Sequence, residues 1–166
     1  NQGTVNIRGG TIAQPGNGGN TIYNTATATL NVNSGQVTGG SNSIDNLGST
    51  TINGGTVDKI LNENNSTLTI SNGSLTKGIT NTGTSSITMS GGSVTDTNTG
   101  NRYGINNTST GTITISGGTL TATKDTSSAN SYAIQSSAGI INRPVRAVRQ
   151  AGFAMRPNRK RNWLKW

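Results

Sequence analysis

This 166-residue sequence contains five carboxylic acids, and these are the side chains that could take part in the widest range of chemistry. Hydrolysis of a glycosidic bond requires two carboxyl groups held close together, and lyase chemistry requires acidic calcium ligands beside an Arg or Lys base. The acids are scattered along the sequence repeat, and no pair of them recurs at one position of it: Asp45, Asp58, Glu63, Asp96 and Asp125. We therefore interpret them as separate solvated charges and predict no catalytic residue.

Metal and cofactor chemistry has no support in the remaining residues. The sequence contains no His and no Cys, which removes the ligands of zinc and thiol sites. Its Gly pairs do not lead into a helix with the Lys of a phosphate-binding loop, and the GGxGxD calcium repeat is absent. We expect no metal, no cofactor and no enzymatic activity.

Two tyrosines are the candidate ligand contacts. Tyr103 and Tyr132 each lie two residues before an Ile that we assign to the interior, Ile105 and Ile134. They therefore occupy the same place in successive repeat units. Aromatic rings can stack on sugar rings, so the pair is a candidate glycan contact. The alternative is a stack that only joins two adjacent coils.

Positive charge is concentrated at the C-terminus. Residues 1–139 contain five Lys or Arg and five Asp or Glu, so the whole formal net charge of +8 comes from residues 140–166. Within that segment, Pro144 and Pro157 are placed to begin and end a short helix. The last residues interleave cations with Trp, as segments that bind anionic membrane surfaces or nucleic acids do: Arg159, Lys160, Arg161, Trp163, Lys165 and Trp166.

Three interpretations of this basic tail, residues 140–166, stay open. It binds an anionic surface, it caps the strand edges of the last coil, or it is foreign to the fold that precedes it. The abrupt loss of Thr and of acids near residue 140 favours the third interpretation. We therefore assign no nucleic-acid or membrane function to the protein from its tail.

A short repeat positions the candidate residues of the rest of the chain. Near copies of the unit Ile-Ser-Gly-Gly-Thr occur at Ile7–Thr11, Val32–Gln36, Ile52–Thr56, Ile70–Ser74, Met89–Ser93 and Ile115–Thr119. The second Gly positions follow one another at intervals of 18 to 26 residues. This interval is the length of one solenoid coil with insertions in its loops.

Each repeat unit predicts three strands. Apolar and polar residues alternate before the Gly pair, as in Thr112–Ile115, so one face of that strand is buried. A second strand follows the pair, as in Thr119–Thr121, and Gly permits the bend because it tolerates positive φ. The third strand carries an Ile-x-Asn motif, as in Ile60–Asn62. Its Asn recurs in five of six units, which predicts a ladder of stacked, hydrogen-bonded Asn side chains.

Three strands per coil, stacked coil on coil, predict an all-β parallel β-helix (a solenoid) of about six three-stranded coils. We assign residues 1–139 to this repeat domain and residues 140–166 to the basic non-repeat tail. The chain begins inside the first repeat unit, so we interpret the domain as a fragment of a longer solenoid. Unpaired strand edges at its ends also lead us to expect end-to-end self-association.

Outward Thr and Ser residues form a second candidate surface. They would make a regular grid of hydroxyl groups on one face, at Thr67 and Thr69, Ser86 and Thr88, and Thr112 and Thr114. Such grids resemble ice-binding faces, although Thr suits any solvated strand face. Asn6, Asn31 and Asn33 interrupt the grid in the early coils, so ice binding is the minor alternative.

Three strings carry a resemblance to known proteins: GTITISGGTLTAT at Gly111–Thr123, YGINN at Tyr103–Asn107 and SYAIQSS at Ser131–Ser137. They resemble the repeats of bacterial surface proteins that are adhesin-like or carbohydrate-binding, and of autotransporter passengers and the pectate-lyase-like β-helix superfamily. The resemblance covers residues 1–139 and implies secretion or cell-surface display. We expect a non-enzymatic surface module whose partners are glycans or other cell-surface polymers. A fragment of a β-helix polysaccharide lyase or hydrolase without its active coils is the alternative.

Overall fold

The computed structural model describes residues 1–16, 18–123 and 130–143. These residues form seventeen β-strands and no helix, so this part of the chain is all-β, as predicted. The strands are β1 (Thr4–Gln14), β2 (Asn20–Asn24), β3 (Thr29–Gly39), β4 (Asn42–Asn46), β5 (Ser49–Ile52), β6 (Thr56–Val57), β7 (Ile60–Asn62), β8 (Thr67–Ile70), β9 (Ser74–Leu75), β10 (Ile79–Asn81), β11 (Ser86–Met89), β12 (Ser93–Asp96), β13 (Arg102–Asn107), β14 (Thr112–Ile115), β15 (Thr119–Ala122), β16 (Ser131–Ser136) and β17 (Ile140–Asn142).

The strands build a parallel β-solenoid of about five turns, which confirms the predicted fold class. Face one consists of the first halves of β1 and β3 with β5, β8, β11, β14 and β17. Face two consists of the second halves of β1 and β3 with β6, β9, β12 and β15. Face three consists of β2, β4, β7, β10, β13 and β16. Every ladder between these strands is parallel, so equivalent residues of successive coils lie beside one another.

The core is a set of apolar columns, one residue per coil. On face three, the Ile of the Ile-x-Asn motif stacks in register and is at most 2% exposed at Ile44, Ile60, Ile79 and Ile105. Full burial of such a side chain contributes about 1.5–3 kcal/mol. Since each coil touches only its neighbours, stability is a sum of nearest-neighbour terms.

The predicted Asn ladder is present, and it lies in the interior. Side-chain amides bond in sequence from Asn24 to Asn46, Asn62, Asn81 and Asn107, with Nδ2–Oδ1 distances of 2.7–2.8 Å. Its members are at most 1% exposed. The second amide proton donates to a backbone carbonyl where the next strand begins, as from Asn62 to Ser86 (3.1 Å). The ladder therefore satisfies buried backbone groups that the turn leaves without strand partners.

Five buried Ser or Thr residues among those described depart from the expected rule that Thr and Ser point outward, and three of them bond to the Asn ladder. Thr50, Ser66 and Ser85 are at most 2% exposed. Each lies four residues after a ladder Asn and donates to its Oδ1, at 2.8, 2.8 and 2.7 Å. A hydroxyl is tolerated inside the solenoid here because the ladder supplies its acceptor.

The Gly pairs form the corner between faces one and two, as predicted. The second Gly of all six units has a φ between 72° and 88°, a conformation that favours glycine. At Gly55, a Cβ would also lie 2.5 Å from the carbonyl oxygen of Gly35 in the preceding coil. The close stacking of coils thus excludes a side chain at Gly55.

The segment assigned to the tail enters the described structure only at its start. Ile140–Asn142 form β17, which pairs with β14 on face one. The predicted helix between Pro144 and Pro157 lies outside the described residues. The candidate anion-binding residues Arg159, Lys160, Arg161, Trp163, Lys165 and Trp166 lie outside them as well.

Candidate ligand-binding groove

A shallow groove follows the corner at which face two meets face three. We define this corner groove by two adjoining depressions of about 370 Å³ and 190 Å³. Lys59, Lys77 and Asn98 line both of them. The larger depression is also lined by Gly39, Gly40, Ser41, Ser43 and Asp58. The smaller depression is also lined by Ile79, Thr80, Asp96, Asn101, Tyr103 and Asn106. Four successive coils therefore contribute polar side chains to one continuous surface.

Backbone hydrogen bonds between coils hold the two lysines of the groove. The carbonyl oxygen of Lys59 accepts from the amides of Ser43 (2.9 Å) and Ile44 (3.1 Å). The amide of Lys77 donates to the carbonyl of Asp58 (2.8 Å), and its carbonyl accepts from the side chain of Asn98 (3.2 Å). The groove floor is thus part of the solenoid framework.

The two candidate tyrosines are register partners in β13 and β16, as their position in the repeat predicts. Their rings are stacked, with centroids 6.1 Å apart and planes within 6° of parallel. The predicted coil-to-coil stack is therefore present. Tyr103 also lines the groove, whereas the hydroxyl of Tyr132 donates to Oδ1 of Asn130 (3.2 Å). Glycan contact by this pair stays a prediction.

Asp96 holds the loop that positions Tyr103. Its carboxylate accepts from the amide and the side chain of Asn98 (2.9 and 2.7 Å) and from the amide of Tyr103 (2.7 Å). The buried guanidinium of Arg102 donates to the carbonyl oxygens of Asn98 and Thr123. The loop between β12 and β13 is therefore fixed at both ends against the groove.

Asp58 carries the ion pair of the groove. Its carboxylate accepts from Nζ of Lys77 (2.9 Å), Oγ1 of Thr76 (2.8 Å) and the amide of Gly39 (3.4 Å). Burial raises the pKa of the Asp58 carboxyl, but these hydrogen bonds and the Lys77 charge outweigh it, so the net pKa is lowered. Asp58 is therefore an ionised structural partner of Lys77.

The interpretation of the acids as solvated charges is wrong for Asp45 and Asp96, which are 7% and 5% exposed. Oδ2 of Asp45 accepts from Nδ2 of Asn20 (2.6 Å), while its Oδ1 is buried without a hydrogen-bond partner among the described residues. Burial raises the pKa of this carboxyl, and the nearby charge of Glu63 raises it further. Asp45 is thus a buried acid that the fold stabilises best in its neutral form.

We expect Asp45→Asn to increase the free energy of unfolding at pH 7 by about 1 kcal/mol, because it removes a partly unsatisfied buried charge. At pH values below 3.8, the ordinary pKa of Asp, the carboxyl is neutral in both the folded and the unfolded state. The substitution then changes the free energy of unfolding little. As the pH rises through 3.8, the unfolded chain ionises first, and the wild-type fold loses stability until the pH passes the raised folded-state pKa. Urea denaturation at about pH 3 and pH 7 measures the difference.

Asp58→Asn is the matched control, since its pKa shift has the opposite sign. The ion pair of Asp58 with Lys77 contributes less than about 1 kcal/mol to the free energy of unfolding. This contribution is present at neutral pH and is lost as the pH falls through the lowered folded-state pKa of Asp58. The substitution should therefore reduce stability at pH 7. An Asp45→Asn variant that is no more stable than wild type at pH 7 would contradict the assignment of a buried charge.

The hydroxyl grid on face one has the register that the sequence predicts. Ser86 lies beside Thr67, and Thr88 lies between Thr69 and Thr114. In the early coils the Asn6 and Asn31 side chains occupy this column and bond each other (2.9 Å). Ice binding by this face stays a prediction.

Neither a candidate metal centre nor a candidate membrane span occurs in the described ranges. Residues 1–16, 18–123 and 130–143 contain no group of three or more Asp, Glu, His or Cys that could hold an ion. They also contain no helix long and apolar enough to cross a membrane.

The sequence reasoning missed the groove, although one signal for it was present. Lys77 precedes Ile79 by two residues, as Tyr103 precedes Ile105, and these two Ile are register partners. The same alignment that identified the tyrosine pair therefore also places Lys77 one coil before Tyr103. The rest of the groove comes from loops without periodicity, which no repeat pattern predicts.

Comparison of the chain with protein-family models, with curated proteins and with solved structures finds no match. The class that the geometry itself defines is a parallel β-solenoid with a polar groove at one corner.

Proposed function

We propose that the chain is a non-enzymatic surface module of the adhesin type, secreted or displayed at the cell surface, that binds glycan chains in the corner groove. The observation that carries this proposal is the Tyr103 ring, which stacks on Tyr132 and lines a groove of amide, hydroxyl and ammonium groups. Apolar ring faces with a few polar groups around them suit sugar recognition.

The form of the surface supports weak, repeated contacts with a polymer. The depressions are shallow and open, and four successive coils contribute polar side chains to them. A polymer that engages several such positions gains avidity without any single strong contact. Glycans or other cell-surface polymers are therefore the partners that this architecture suits best.

A glycan array tests the proposal, with Tyr103→Ala and Tyr132→Ala beside the wild type. Loss of a ring–sugar contact should reduce binding by about tenfold for Tyr103, since base–aromatic stacking of similar area is worth about 1–3 kcal/mol. Tyr132→Ala should have a smaller effect because it removes only the support beneath Tyr103. Tyr23→Ala is the matched control: Tyr23 is on face three, 49% exposed and outside the groove. Glycan binding that is unchanged by Tyr103→Ala, or that is reduced equally by Tyr23→Ala, would contradict the proposal.

A polysaccharide lyase or hydrolase is the second candidate, because the groove contains carboxylates and lysines that could serve as acids and bases. We expect bound glycans to keep their chain length, since hydrogen bonds occupy the carboxylates of Asp58 and Asp96. Size analysis of the glycans after incubation with and without calcium measures this. Turnover would favour the enzyme instead.

A further inference from the structure

We infer that the corner groove selects acidic glycans, whose sugars carry a carboxylate or sulfate group beside the ring that contacts Tyr103. This inference rests on the proposed glycan-binding function and adds the chemical class of the ligand. It follows from the charges of the groove, from their position relative to the aromatic ring, and from the amide donors between them.

The groove has more cationic than anionic groups available to a ligand. Of its acids, Asp96 is 5% exposed and accepts three hydrogen bonds within its own loop. Asp58 bonds Lys77 at 2.9 Å and its side chain is 18% exposed, against 44% for that of Lys77. Lys59 has no carboxylate within 4.0 Å among the described residues and lines both depressions. The formal charges of the lining sum to zero, but its ammonium groups are more accessible to a ligand than its carboxylates.

The cations reach the depression that Tyr103 lines. Lys77 lies one coil before Tyr103, in the segment that leads into β10, where its backbone forms an antiparallel bridge with Asp96. Lys59, Lys77 and Tyr103 line the same depression. A sugar stacked on the free side of Tyr103 would thus have its acidic substituent within reach of an ammonium group.

Amide side chains supply the neutral donors that an oxyanion also needs. Asn98, Asn101 and Asn106 line the depression that contains Tyr103. Asn98 is fixed, and both hydrogens of its Nδ2 are used, by Asp96 (2.7 Å) and by the carbonyl of Lys77 (3.2 Å), so Asn101 and Asn106 are the amides that remain to donate. The groove therefore combines an aromatic surface and amides, which suit sugars in general, with two ammonium groups, which favour an acidic sugar over a neutral one.

The test is an array that presents each oligosaccharide backbone in three forms: neutral, oxidised at C6 to the carboxylate, and sulfated. We expect the wild type to bind the two acidic forms more tightly than the neutral form, with a preference that weakens as salt increases. Lys59→Gln should reduce binding of the acidic forms by about fivefold, as expected for one exposed charge pair, and should reduce binding of the neutral form by a smaller factor. Arg8→Gln, an exposed cation on β1 away from the groove, is the matched control.

Asp58→Asn should change the affinity for the acidic forms in the opposite direction to Lys59→Gln. It releases Lys77 from its ion pair, so we expect tighter binding of the acidic forms, whereas a merely structural disturbance would weaken binding of all three. Lys77→Gln leaves the Asp58 carboxylate without its cation and should reduce the preference for acidic forms.

The outcomes separate the two proposals. Equal binding of neutral and acidic forms, with Tyr103→Ala still weakening both, would overturn the inference and keep the glycan-binding function. Binding of none of the three forms on any backbone would contradict both. A preference for sulfate over carboxylate, or the reverse, identifies the source of the charge and supports the inference in either case.

Discussion

Replacement of Asn62 by Ala should lower the free energy of unfolding by about 4 kcal/mol, because several buried polar groups lose their partners at once. The Nδ2 of Asn62 donates to Oδ1 of Asn81 (2.7 Å) and to the carbonyl of Ser86 (3.1 Å). Its Oδ1 accepts from Asn46 (2.8 Å) and from Ser66 (2.8 Å). Equilibrium denaturation in urea measures the loss.

Asn53 provides the matched control for this experiment. It makes the same kinds of bond outside the solenoid, donating to Asn33 (3.0 Å) and accepting from Ser71 (2.8 Å), but it is exposed. Water replaces both partners there, so Asn53→Ala should cost less than about 1 kcal/mol. Equal losses for the two variants would show that the interior ladder contributes nothing beyond ordinary surface hydrogen bonds.

Substitution of Gly55 by Ala has the second large expected effect, a loss of about 3–5 kcal/mol or a failure to fold, since strain and overpacking combine. Its φ is 75°, and a Cβ would meet the Gly35 oxygen at 2.5 Å and the Ser34 carbonyl carbon at 2.9 Å. Both contacts are backbone atoms of the preceding coil, which cannot move without separating the strands. Thermal and urea denaturation measure the change.

Gly10 separates the two causes. Its φ of 73° matches that of Gly55, but a Cβ there would have no heavy atom within 4 Å. Gly10→Ala should therefore cost only the strain of a left-handed conformation, about 1–2 kcal/mol. If Gly55→Ala cost no more than Gly10→Ala, close stacking of the coils at this corner would not be the reason for the glycine.

The repeat predicts the solenoid well because its physical requirements recur in every coil. The alternation of apolar and polar residues determines which side chains are buried. The second Gly of each unit forms the corner between faces one and two, and the Asn of Ile60–Asn62 and its equivalents form the ladder. Each of these features depends on residues that are neighbours in sequence or one coil apart. The four hydrogen bonds between ladder Asn residues could thus be predicted by aligning the repeat units, as between Asn46, Asn62 and Asn81.

The exceptions arise where a contact between coils decides a residue's environment. Thr50 follows the alternation rule for an apolar position, yet only the ladder oxygen of Asn46 explains why a hydroxyl is tolerated there. Asp96 is buried because the loop after β12 folds back over it and offers three donors. Loop paths of this kind have no period, so neither the burial of Asp96 nor the groove follows from the repeat.

The tyrosine pair illustrates how far the candidate site could be predicted. Its register and its stacking follow from the alignment of Tyr103 with Tyr132. The cationic neighbours follow less directly. The alignment places Lys77 one coil before Tyr103, but Lys59 lies one residue before its Ile, and both resemble ordinary surface charges in the sequence. Only the parallel stacking of coils brings them to the ring.

The most direct test of the account is a nuclear magnetic resonance titration of the isotope-labelled protein with an acidic glycan retained on the array. The account predicts that the perturbed backbone amides cluster at the corner groove, around Lys59, Lys77, Asn98 and Tyr103, and that the glycan keeps its chain length. Amides of face one, such as those of Thr69 and Thr88, should not shift. Perturbations centred on face one, or steady shortening of the glycan during the titration, would contradict the account.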